Sequence, residues 1–161
     1  KWKDKTIEQV TDFVGGRMVF KDSKEMYKGL AKFERTSGMR IIEAQDFYDA
    51  SKNSGYRAVH VLVKTPSGMT AEMQFQTERM RANQGYTHSI YKPELNQDGT
   101  MKHPWYYEDP PLKKRPEVQA YTQAISDYLY AQDMGEDPGA KPIAPPILEQ
   151  YGHTFDVEEH D

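Results

Sequence analysis

The stretch AEMQFQT, residues 71–77, follows the turn KTPSGM and carries a polar residue at every second position of an otherwise apolar run. A strand sends alternate side chains to opposite faces, so Ala71, Met73 and Phe75 belong with Met69 on a buried face. Glu72, Gln74 and Gln76 then form a polar row on the other. Such a row is most often the solvated side of an antiparallel sheet. It acquires another meaning only if neighbouring segments bring further chemistry to it.

Working outward, YRAVHVLVK (56–64) and GMRIIEAQDF (38–47) read as strands, joined by a loop rich in small and polar residues, DASKNSG (49–55). RMVF (17–20) is short and apolar enough for a buried strand. DSKEMYKGLAKFER (22–35) reads as a helix behind Asp22, with Glu25 in capping-box spacing. Ahead of it, Thr6 and Gln9 have the same spacing, and Ile7, Val10 and Val14 recur near the helical period, which predicts a helix that stops near Gly15. Further helices are expected from Glu78 to about Tyr91 and over 115–132, where Val118, Tyr121, Ile125, Tyr128 and Leu129 share a face. Residues 92–111 read as a loop. The whole is a mixed α/β fold, a sheet flanked by helices, over residues 1–133, with an extended, Pro-rich, acidic tail over 134–161.

Length and composition narrow the function. A chain of 161 residues suits one domain with its own core. No apolar run approaches a bilayer span, so a membrane partner is not expected. The formal net charge of −4 argues against coating a DNA backbone, yet leaves room for a local basic pocket around one small anion. Without cysteine there is no disulfide framework and no thiolate zinc site. The chain begins at Lys1 without a signal peptide, as a piece of a longer protein would.

Three constellations carry chemistry. In DFVGGR (12–17), Asp12 suits a metal ion, the glycines permit close backbone approach, and Arg17 suits phosphate; a glycine helix stop with a surface ion pair is the plainer account. In SKNSGYRAVH (51–60), Lys52 and Arg57 suit phosphate and the Tyr56 ring offers a stacking face for a purine. Tyr56 and His60 serve equally well as packing residues. The third is the polar row itself: Asp12 and Glu72, from different elements, are candidates to share Mg²⁺ with substrate phosphates.

Taken in order, these segments resemble the RelA/SpoT nucleotidyltransferase-like synthetases, which transfer pyrophosphate from ATP to the 3′-hydroxyl of a guanine nucleotide. The family's D-x-x-G-x-R is matched by Asp12, Gly15 and Arg17, its K-P-N-G-Y-R-S-x-H by KNSGYRAVH, and its E-x-Q-x-R-T by EMQFQT. Met80 and His88 fall at the separation found in small alarmone synthetases. Gln76 stands where the family has Arg, and Ser54 where it has an Asn beside the acceptor guanine. The resemblance runs from about Thr6 to Lys92. It implies that Asp12 and Glu72 hold Mg²⁺, with Glu72 also taking the proton of the attacking hydroxyl. Arg17 and Lys52 would neutralise phosphates, Tyr56 would stack on the acceptor base, and Ser54, Arg57, His60, Gln74 and Gln76 would line the nucleotide site.

The expected activity is Mg²⁺-dependent pyrophosphoryl transfer from an ATP donor to an adenine or guanine nucleotide acceptor, giving (p)ppApp- or (p)ppGpp-type products in the bacterial cytoplasm. A domain from a longer chain with no hydrolase signature also fits the toxin part of a secreted effector, whose partner would be an immunity protein. From another class, a catalytically silent nucleotide-binding module that regulates a partner fits the missing Arg at position 76.

Overall fold

The structure, a computed structural model, describes residues 14–52 and 55–158. The expected opening helix, with Asp12, and the loop residue Ser54 lie outside the described residues. The fold divides into two units, one holding the described residues up to Ser51 and Arg57–Glu78, the other Lys52–Tyr56 and the described residues from Arg79 onward.

In the first unit, β1 (Val14–Phe20), β2 (Arg40–Asp46), β3 (Val59–Lys64) and β4 (Thr70–Thr77) form one sheet in the order β1-β4-β3-β2. β1 runs parallel to β4, and the other two pairings are antiparallel. Helix α1 (Ser23–Thr36) begins where its sequence signal puts it, since the Asp22 side chain accepts from the Glu25 N–H at 2.9 Å. It packs on β1 and β4. Phe75, fully buried, stacks on Phe20 with centroids 6.1 Å apart and meets the edge of Phe33 at 5.6 Å. Gly29 permits this closeness: a Cβ there would lie 2.3 Å from the Phe20 ring.

Three expectations change here. Gly15 and Gly16 lie inside β1, not at a helix end. Gly16 faces Met73, whose Sδ would sit 2.8 Å from an added Cβ, so packing against Met73 accounts for this glycine. Met69 is exposed in the turn before β4, because the strand and its burial begin only at Thr70. The polar row is not the solvated face either, for Glu72 and Gln76 are both buried.

In the second unit, α2 (Glu78–Tyr91) and α3 (Pro116–Asp133) have the expected limits, and the five apolar positions expected on one face of α3 are all buried. Arg79 pairs at 3.0 Å with Asp133, whose side chain is fully buried. The segment beyond Asp133, expected to run as an extended tail, forms helix α4 (Pro146–Gln150) and packs into this unit. Leu148 and Val157 are buried, the Phe155 N–H donates to the Tyr121 hydroxyl, and the Tyr151 hydroxyl donates to Glu108, itself paired with Arg115. Apolar residues spaced between the prolines supply that packing, and a reading by composition passes over them.

His153 ties this segment to α2. Its ring stacks on Trp105 at 4.2 Å, with His103 stacked on Trp105 at 4.3 Å. The Ser89 hydroxyl donates to the Tyr86 carbonyl, so it accepts from Nε2–H of His153 at 2.7 Å, which assigns that tautomer. Burial, and then the charge of His103, push the His153 pKa down.

Ending the chain at Met134 should therefore lower the thermal midpoint sharply, because each buried Leu or Val side chain lost is worth about 1.5–3 kcal/mol; an unchanged melting curve would show that the segment adds nothing to the core. The second outcome concerns pH. With the folded pKa of His153 depressed, the unfolded chain takes up its proton first. The stability from neutral His153 is then complete above about pH 6.5 and falls below it, by at most about 1.4 kcal/mol per pH unit. Melting at pH 7.5 and 5.5 should show this loss, and His153→Gln should reduce it.

Candidate functional site

In the first unit, the register of the sheet gathers one group of candidate residues. Across β4, Glu72 lies between Gly15 of β1 and Leu62 of β3, and Gln74 between Arg17 and His60. Directly paired residues point to one side of a sheet, so Arg17, His60, Glu72, Gln74 and Gln76 share the face opposite Phe75. Arg17 Nη2 donates to Gln74 Oε1 at 3.1 Å, and Gln74 Nε2 makes a long contact of 3.4 Å with Glu72 Oε1. Arg17 itself is exposed, so its charge faces solvent and any ligand that arrives there.

Glu72 is 8% exposed, and Oε2 has no hydrogen-bond donor among the described residues. Burial pushes its pKa up, opposed by the bond from Gln74. A buried carboxylate oxygen of this kind is costly unless something charged or protic meets it. Gly15, paired with Glu72 on β1, contributes no side chain beside it. The donor set therefore fits a hard cation held by oxygen. No group of three or more His, Asp or Glu side chains suited to a metal gathers among the described residues.

Of the other residues singled out by the sequence, His60 is half-buried with its ring edge-on to Phe47 at 5.2 Å. Gln76 is wholly buried. Arg57 is committed to the backbone, with Nη1 donating to the carbonyls of Tyr48 and Asp49 at 2.6 and 3.1 Å. It thus holds the end of the loop after β2 and is not among the groups on the Glu72 face.

The other unit, taken by itself, carries a second group of the residues that the sequence singles out. The Lys52 N–H donates to the Tyr56 carbonyl and the Gly55 N–H to the Lys52 carbonyl, a tight turn with Gly55 at φ +82°. Gly55 lies against α3, where a Cβ would come within 2.6 Å of Ser126 Cβ and 2.9 Å of the Thr122 carbonyl. The turn fixes Tyr56 at the edge of a cavity of about 290 Å³ lined also by Gln84, Thr87, His88, Tyr91 and Lys92. A second cavity of about 470 Å³ shares Gln84 and His88 and adds Arg81 and Gly85.

Sequence reasoning pointed to His88 and missed Gln84, Thr87 and Lys92. The buried positions of α2 are Met80, Asn83, Tyr86 and Ile90, so Gln84 and Thr87 lie off its buried stripe and Lys92 follows its end, places where polar residues are ordinary. One signal was available. Gly85 costs about 1 kcal/mol in a helix interior, and no neighbour within 4 Å explains it.

Comparison with known proteins gives the same direction. The GTP pyrophosphokinase YwaC of Bacillus subtilis is 26% identical over 98 residues, 56% of this chain and 46% of that protein. The GTP pyrophosphokinase rsh of Brucella ovis is 28% identical over 93 residues, but the match covers only 12% of its length. The chain thus spans about half of the first relative and a small part of the second. Among solved structures, small alarmone synthetase 2 of Bacillus subtilis aligns with a TM-score of 0.56 at 18% identity, over 74% of this chain and 61% of that one. A GTP pyrophosphokinase family protein of Streptococcus pneumoniae aligns with a TM-score of 0.50 at 26% identity, over 74% and 56%. The family model described as a region found in RelA / SpoT proteins matches residues 1–96, more than half of the length, and the chain belongs to that family.

Proposed function

We propose that this domain transfers pyrophosphate from ATP to the 3′-hydroxyl of a purine nucleotide. The observation that carries the reading is Glu72, a buried carboxylate with one oxygen lacking a hydrogen-bond partner among the described residues, backed by Gln74 and Arg17 and flanked by a glycine. In the transfer the acceptor O3′ bonds to the β-phosphorus of ATP as the bridge to the α-phosphate breaks, and AMP leaves with the electron pair. Glu72 Oε2 takes the hydroxyl proton. Arg17 and Lys52 offset the charge on the phosphates, and Tyr56 stacks on the acceptor base. Gln74 holds Glu72 Oε1 and Arg17 together, so the base and the phosphate contact are set by one side chain. Most of the rate gain in such a reaction comes from positioning and from neutralising charge. Glu72 and Asp12 would hold Mg²⁺, which when bound supplies further positive charge to the phosphates.

The acceptor follows from Ser54, a hydroxyl where relatives have an amide. It reaches less far toward a base edge, so guanine loses a contact there while stacking on Tyr56 tolerates either purine. Adenine nucleotides should then serve at least as well as guanine nucleotides. An adenylate acceptor would consume ATP as donor and its own pool as acceptor, the property required of a delivered toxin.

The test is incubation with labelled ATP and ADP, ATP, GDP or GTP as acceptor, with products resolved by chromatography. Labelled pyrophosphate on a 3′-position is expected with Mg²⁺. Binding without any transfer would favour the silent regulatory module. Glu72→Gln should lose several powers of ten in rate. Its thermal midpoint should hold or rise, because a carboxyl whose folded pKa is raised costs stability once ionised, above its ordinary range near 4.5. Transfer at the wild-type rate would remove Glu72 from the chemistry. Gly55→Ala should weaken acceptor binding about tenfold or more, because strain at positive φ and the contacts with Thr122 and Ser126 push Tyr56 out of place. An unchanged acceptor KM would separate Tyr56 from the acceptor site.

A further inference from the structure

Gly85 stands inside α2 with no atom within 4 Å of where a Cβ would lie, so nothing in the packing of the helix calls for a glycine there. It lies on the wall of the cavity of about 470 Å³, with Arg81 before it and His88 after it. These three residues are spaced i, i+4 and i+7, which puts them on one face of α2, and all three are exposed. A planar guanidinium with several donors suits phosphate oxygens. Arg81 also sits in the first turn of α2, the end at which the helix dipole favours an anion. Glu94 on the same wall opposes an anion, but Lys102 meets it at 3.3 Å and offsets its charge. His88 lines the smaller cavity beside Tyr56 as well, so the two cavities adjoin along α2. A glycine between Arg81 and His88 lets a ligand come close to the helix backbone.

We propose that the larger cavity is a subsite for the 5′-phosphate chain of the acceptor nucleotide, with Arg81 as its phosphate-binding residue and Gly85 kept small so that the chain can pass. An acceptor seated beside Tyr56 directs its 5′-phosphates along the face of α2, past His88 and toward Arg81. At the helical rise per residue, Arg81 lies about 10 Å along the axis from His88, a separation that a diphosphate or triphosphate spans better than a monophosphate. The subsite therefore reads the number of 5′-phosphates and leaves the base to the smaller cavity. The inference rests on the proposed transfer reaction, and it names what recognises the far end of the acceptor.

The test is equilibrium binding of GMP, GDP and GTP to the 161-residue chain by calorimetry; guanosine nucleotides keep the acceptor distinct from the ATP donor. In the wild type, affinity should rise from GMP to GTP by about tenfold or more. Arg81→Gln should remove most of that rise while leaving GMP within about twofold. Glu94→Gln should act in the opposite sense and steepen the series, because it takes a negative charge from the wall. Gly85→Leu places a side chain in the path and should flatten the series, yet its thermal midpoint should hold or rise, since leucine suits a helix interior better than glycine. Inorganic tripolyphosphate should compete with GTP and bind more weakly than it. A flat series in the wild type, or one that Arg81→Gln leaves as steep, would overturn the inference, as would equal weakening of all three nucleotides by that variant. Tripolyphosphate binding as tightly as GTP would also overturn it, by showing a general anion site. If the series responds as expected while no pyrophosphate is transferred, the phosphate subsite stands and the catalytic reading fails. If transfer occurs and the series does not respond, only the role of Arg81 and its cavity fails.

Discussion

The parallel pairing of β1 with β4 is the constraint on which the first unit rests. It sets Gly15 beside Glu72, Arg17 beside Gln74 and Met18 beside Phe75, so one register supplies both the polar face and the aromatic core. A slip of one residue would turn every side chain of β1 to the other side of the sheet. Arg17 would then point toward the helix-covered face, and Gly16 would stand beside the row that holds Glu72. The core guards against this slip: Phe20 stacks on Phe75 under Gly29, and Gly16 makes way for Met73. Packing on one face thus secures chemistry on the other.

The same register explains why Glu72 is an expensive residue to keep. A buried carboxylate with a raised pKa works against the folded state at neutral pH, and Gln74, its side-chain donor among the described residues, is distant at 3.4 Å. A sheet designed only for stability would put an apolar residue at this position. An exposed arginine is linked to it through the Gln74 amide, and a glycine stands beside it on the adjoining strand, the arrangement on which the proposed function rests.

The second unit solves a different problem. Its helices leave cavities along α2, and the segment after α3 contributes Leu148, Phe155 and Val157 to the packing. Stacking of His153 on Trp105, and the bond from the Tyr86 hydroxyl to the His153 carbonyl, hold that segment to α2 and to the loop before α3. The rigidity of the cavity wall therefore depends in part on residues far along the chain from Gln84 and His88.

Much of this was legible in the order of residues, because local physics sets it. Asp22 and Glu25 announce the start of α1, the spacing of Val118, Tyr121, Ile125 and Leu129 announces α3, and the alternation of AEMQFQT announces a two-faced strand. The motifs around Arg17, Tyr56 and Glu72 also pointed to the family, since phosphate, base and proton transfer each demand a narrow choice of side chain. Whether Glu72 is buried, however, depends on pairing with residues distant in sequence. The glycine pair looked like a helix stop because a glycine carries no local mark of being in a strand; only Met73 and Glu72 across the register give each glycine its reason. Sequence alone did not show that Arg57 also bonds the carbonyls of Tyr48 and Asp49. Gln84 went unnoticed, because an amide off the buried stripe of a helix is unremarkable until a tyrosine from another segment stands across a cavity from it. Hydrogen-bond partners and cavities are properties of three-dimensional neighbours, and tertiary structure alone decides them.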